Sequence, residues 1–130
     1  MKMEVTIPAQ VSAISPLVDA VMTVVRQQPT AKEMEIETAL REALANAIRH
    51  GCLGDPSKFV QCSVVFESDH SVLIVVSDPG PGFNPKRLPD PTEGEHLYEN
   101  HGRGIYLISH LMDEVHFKRR GAEIHMRSRF

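Results

Sequence analysis

The chain has 130 residues, of which 42% are apolar and 24% charged, with a net charge of −3. Length and composition describe one soluble domain, residues 1–130, large enough to bury a core without disulfide or metal staples. The mild acidity excludes a basic nucleic-acid surface, and no apolar run approaches the ~18 residues of a membrane span. The N-terminus turns polar too soon for a signal peptide, so a cytoplasmic protein is expected. The two cysteines, Cys52 and Cys62, form no CxxC pair and read as small buried hydrophobes.

Taken in chain order, Met3 to Ile7 alternates and stops at Pro8, the pattern of a strand. Ser15 and Pro16 suit a helix start, with Ser15 as a cap, and an apolar face runs from Leu17 to Val25. Pro29 breaks that helix near Gln28. Ile36, Ala39, Leu40, Ala43, Leu44, Ala47 and Ile48 then give the clearest helical period in the chain, with Gly51 as its end. Glu42 and Asn46 lie one turn apart on the edge of that apolar stripe, with Arg49 and His50 nearby. Val60 to Glu67 and Ser71 to Ser77 read as an antiparallel hairpin. Its second strand has no polar face between Val72 and Val76, so it is expected to be central and covered in part on both sides. From Pro79 to Asn100 the chain carries five prolines and three glycines, which suggests a lid or a disordered segment. A third helix is expected from Gly104 to Met112, then a closing hairpin of Val115 to Phe117 with Ala122 to Met126. The order β-α-α-β-β-lid-α-β-β implies an α/β (α+β) fold, a two-layer sandwich with helices on one face of a mixed, mostly antiparallel sheet.

Three short segments could carry chemistry. Asn46 offers a neutral carbonyl oxygen suited to magnesium, and Glu42 beside it could accept a proton from an attacking hydroxyl. A mid-helix Asn costs a few tenths of a kcal/mol against Ala, about as much as a plain solvated edge would tolerate. Asp78 ends an apolar strand, where a carboxylate needs hydrogen-bond donors, and an adenine amine would be one. Gly80 and Gly82 would let the backbone approach a flat ring. Taken alone, Asp78-Pro79-Gly80 is also a plain turn that ends a strand. Gly102, Arg103 and Gly104 open the third helix, where free amides and the dipole favour phosphate. No histidine pair has metal-ligand spacing, and no P-loop pattern is present.

In this order the segments resemble the N, G1 and G2 boxes of the GHKL ATPases, the group that includes histidine kinases and gyrase. The likeness runs from Val5 to Met126 and is strongest for the short bacterial anti-sigma factor serine kinases. It rests on Leu40 to Gly51 and Gly102 to Val115. The resemblance implies the histidine kinase-like ATPase (Bergerat) fold and ATP with Mg²⁺ as cofactors. It implies Asn46 as the metal ligand, Glu42 as general base, Asp78 for the adenine amine, Gly80 and Gly82 around the ring, and Gly102, Arg103 and Gly104 at the phosphates. Residues 84–100 would be the nucleotide lid. Such proteins form homodimers, hold a sigma factor, and phosphorylate a serine on a STAS-domain antagonist. Two positions depart from the pattern: Asn100 stands where a basic residue is common, and Ala122 where Thr is common. The alternatives are a binding-only ATP module and the catalytic domain of a sensor histidine kinase.

Overall fold

The computed structural model describes residues 1–80 and 100–130. The elements are β1 (Lys2–Pro8), α1 (Ile14–Val25), α2 (Glu33–Asn46), β2 (Phe59–Glu67), β3 (Ser71–Ser77), α3 (Asn100–Leu111), β4 (Glu114–Lys118) and β5 (Glu123–Arg129). Each expected strand and helix is present; β3 has the expected bounds, and the other elements have at least one end shifted, by one to five residues.

The five strands lie in the order β1-β2-β3-β5-β4. All four pairings among the described residues are antiparallel. β4 runs in the same direction as β3, but β5 is inserted between them, so the one parallel pairing that a mixed sheet would carry is kept apart. Val5, Cys62, Val76, Ile124 and Phe117 make one continuous cross-strand row. This row belongs to the inward face, where Val60, Cys62, Val64, Val72, Ile74, Val76 and Met126 are buried. The period-two alternation of burial along β2 and β5 leaves the other face mostly to polar residues, with Phe59 and Val65 as exceptions on β2.

β3 is the central strand, as its unbroken apolar run predicts. Its outward residues Leu73 and Val75 are only half-buried. Arg127 is the register partner of Leu73 and reaches Glu67 at 2.8 Å and Glu114 at 2.9 Å. Its aliphatic stem can cover apolar surface while its head stays in water.

The helices supply the other layer. Leu17, Val18, Val21, Met22 and Val25 bury one stripe of α1, and Ile36, Ala39, Leu40, Ala43 and Leu44 one stripe of α2. Both stripes join a single core with the inward sheet face. Ser15 is not the cap of α1. A short 3-10 turn, Val11–Ala13, runs straight into the helix, and the Ile14 amide already donates to the Val11 carbonyl. Ser15 Oγ instead accepts from Arg41 Nη1 at 3.2 Å and ties α1 to α2.

α2 does not simply stop at Gly51. Residues Ala47–Gly51 form a π turn, in which the Cys52 amide donates to the Ala47 carbonyl at 2.9 Å. Such turns widen the helix by one residue and are frequent at functional sites. α2 and α3 pack side by side and antiparallel. The start of α3 meets the end of α2 at Glu42 and Asn46, and Asp113, two residues beyond α3, pairs with Lys32 at the start of α2.

Candidate nucleotide site

The last two turns of α2 carry Glu42 and Asn46. Both are half-buried on the edge between the core stripe and solvent, and the described residues give neither side chain a hydrogen-bond partner. α3 approaches them closely at Gly104, which is buried. A methyl group on Gly104 would lie 2.7 Å from Asn46 Nδ2 and 2.9 Å from Glu42 Oε2. The amide and the carboxylate therefore flank one point, as the four-residue spacing predicts. The Asn46 carbonyl is a neutral, hard oxygen donor of the kind that fits Mg²⁺, and the Glu42 carboxylate beside it is placed to take a proton.

α3 begins at Asn100, four residues before the expected start. Gly102 and Gly104 thus stand inside the first turns and not ahead of them. Two glycines weaken a helix by about 1 kcal/mol each. Contact with α2 offsets part of this, because the bare Cα of Gly104 sits against the side-chain ends of Glu42 and Asn46. Gly102 lies in the α3 backbone, while the side chain of Arg103 lies outside what the structure describes. Gly82 and the expected lid residues 84–99 also fall outside the described residues; Asn100, the last position of that span, opens α3.

Asp78 follows β3 directly. Its amide donates to the Ala122 carbonyl at 3.0 Å, which extends the β3–β5 ladder by one residue. Its carboxylate accepts from the Gly80 amide at 2.7 Å. Burial pushes the carboxyl up from the usual range; the Gly80 hydrogen bond and the charge of Arg119 oppose that shift without cancelling it. A carboxylate with one donor and spare lone pairs can accept from a further amine.

Asn46 and Asp78 face one cleft of about 60 Å³ between α2, α3 and the β3–β5 edge. Its walls include Ala43, Ala47, Val76, Ile105, Ile108 and Ile124, an apolar slot with polar groups at its ends. Gly121 and Ala122 close one side of the cleft. Sequence reasoning missed Gly51 and Phe117 as lining residues and assigned no role to His50, which also lines the cleft. The π turn explains part of this. It swings Gly51 across the end of β3, a displacement that the 3.6-residue period conceals. Cys52, next in the chain, is buried, and burial together with the Asp78 charge keeps its thiol above the usual range. Cys62 is pushed up to about 12 by burial alone, and both cysteines are free. They behave as the small core residues that were expected.

No helix among the described residues is long and apolar enough to cross a membrane. Comparison with known proteins gives the lineage. The chain is similar to the anti-sigma F factor of Anoxybacillus flavithermus, with 38% identity over 96 residues. It is similar to those of Geobacillus thermodenitrificans, at 40% over 96 residues, and Bacillus cytotoxicus, at 38% over 92. The matches take in 71%, 71% and 67% of this chain but only 64%, 64% and 61% of the relatives' own length. Residues 7–128 match the family model described as the histidine kinase-like ATPase domain. That span holds all five strands in whole or part and the whole α2–α3 cleft, so the chain belongs to the histidine kinase-like ATPase domain family.

Proposed function

We propose that this protein is an ATP-binding anti-sigma factor that phosphorylates a serine on a STAS-domain antagonist and sequesters a sigma factor. The observation that carries the reading is that Asn46 and Asp78 line one cleft, while the Glu42 carboxylate meets Asn46 where α3 comes close at Gly104. Similarity to anti-sigma F factors supports the regulatory half of it.

In this reading the adenine enters the apolar slot and its exocyclic amine donates to Asp78. Asn46 would hold the magnesium, which when bound offsets charge on the phosphates. Amides at the start of α3, with Gly102, Arg103 and Gly104, meet the phosphate oxygens. The serine oxygen forms the new bond to the γ-phosphorus while the bond to the β–γ bridging oxygen breaks. The serine proton passes to Glu42, and ADP is the leaving product. Residues 84–99 are proposed as the lid, and the open edge of β1 as part of a homodimer contact.

Incubation of the full chain with γ-labelled ATP, Mg²⁺ and STAS proteins from the same genome tests this. Label on a serine of one STAS protein, together with ATP-dependent sigma-factor capture, is the expected result. ATP binding and sigma capture without any transfer would leave a binding-only module in its place.

A further inference from the structure

Gly51 is the residue that the sequence explains least and the structure uses most. As a helix terminator it would be expected in a left-handed conformation. It is not; among the described glycines only Gly54 and Gly121 have positive φ. Its backbone would accept alanine, and helix propensity would favour alanine there. Space is what opposes it. A methyl on Gly51 would overlap all three atoms of the Asp78 carboxyl group. On the other flank, a methyl on Gly80 would overlap the Gly51 carbonyl oxygen and lie 2.8 Å from Asp78 Oδ1. The carboxylate is thus held between two stretches of bare backbone. One is the π turn that ends α2, and the other is the turn whose Gly80 amide donates to it at 2.7 Å.

We propose that Gly51 is a positioning residue for Asp78: the π turn brings its Cα against the carboxyl group and so sets how deep that group sits in the cleft. This rests on the reading of the cleft as an ATP site, where the depth of the carboxylate decides whether it meets the amine of the bound base. A side chain at position 51 drives the carboxylate outward, and affinity falls although no hydrogen-bonding group has been removed.

The test uses the full chain as wild type, Gly51→Ala, Asp78→Ala and the double variant. Positioning through Asp78 requires non-additivity, because removal of the carboxylate makes room for the new methyl. Gly51→Ala should lower the thermal midpoint by a few degrees in the wild-type background and leave it nearly unchanged in the Asp78→Ala background. Gly51→Ala should also weaken ATP by ~10-fold or more in calorimetry. A ¹³C titration should show its Asp78 carboxyl moving back toward the ordinary range as the group leaves its buried position. An equal loss of stability in both backgrounds overturns the proposal, since a helix-end role would give that. An unchanged ATP affinity in Gly51→Ala beside a bound wild type overturns it as well. If Gly51→Ala does not fold, the double variant decides: recovery of folding supports positioning, and failure overturns it. If the wild type itself binds no ATP, the nucleotide reading fails while the stability cycle still decides whether Gly51 positions Asp78.

Discussion

The α2–α3 pair has two ends with opposite electrostatics, and an aspartate marks each. At the far end Asp113 is fully engaged. Its carboxylate accepts from the Arg129 amide at 2.6 Å and from Lys32 Nζ at 2.9 Å. The Arg129 hydrogen bond first, and the Lys32 contacts second, hold its carboxyl below the usual range. At the near end Asp78 has one amide donor, and burial pushes its carboxyl up. Glu42 and Asn46 beside it have no hydrogen-bond partner among the described residues. One end invests its polar groups in holding helices and strands together. The other keeps them uncommitted, at some cost in stability, which is the usual mark of a binding site.

The sharpest test of that contrast is chemical. Glu42→Ala should cut serine phosphorylation by ~10²–10⁴-fold, the usual effect of losing a general base, while ATP and sigma-factor binding persist. Because Glu42 has no hydrogen-bond partner among the described residues to lose, the thermal midpoint should hardly move. A large drop in stability would place Glu42 with the structural end instead. Asp78→Asn should weaken ATP by about 1–3 kcal/mol in calorimetry, since the amide mismatches the adenine donor. The same substitution should make the nucleotide-free protein more stable near neutral pH. The folded-state pKa of Asp78 lies above its unfolded value, so its contribution is fully favourable below the ordinary carboxylate range and is lost as pH rises through the folded value. The gain from Asn should therefore fade as denaturant melts are repeated at lower pH. A gain that stays constant with pH would show that ionisation of Asp78 is not its source.

Gly104→Ala should cost about 1–2 kcal/mol in denaturant melts, the lower part of the range for overpacking, because the ends of Glu42 and Asn46 can turn aside. Hydrogen exchange should locate the added opening in α3. The smallest effect belongs to Asp113→Asn, about 0.5–1 kcal/mol at neutral pH, since the Lys32 pair is partly exposed and screened. Its sign in pH is opposite to that of Asp78. A depressed pKa supplies stability above the unfolded value and loses it as pH falls through the folded one. Wild type and Asp113→Asn should thus converge in acid, and at neutral pH high salt should shrink their difference.

Most of the architecture was legible because apolar spacing reports burial directly. The 3.6 period of Ile36 to Ile48 and the alternation of β2 need only a water–core boundary, which every residue meets locally. The i, i+4 spacing likewise placed Glu42 beside Asn46, since a helix fixes that geometry within one turn. The start of α3 was misjudged because propensity penalises Gly102 and Gly104, and the contact of Gly104 with α2 is not visible locally. Ser15 looked like a cap because nothing local announces the 3-10 turn that makes a cap unnecessary.

What the sequence determined by itself was therefore the set of elements, the buried face of each, and the residue types able to meet a magnesium-bound nucleotide. The tertiary structure decided the rest. It set β5 between β3 and β4, brought Gly104 onto Glu42 and Asn46, and turned the end of α2 through a π turn so that Gly51 lies against Asp78. The physical reason is range. Periodicity encodes contacts within a turn or a strand, whereas these contacts join residues that are far apart in the chain and meet only when the core is packed.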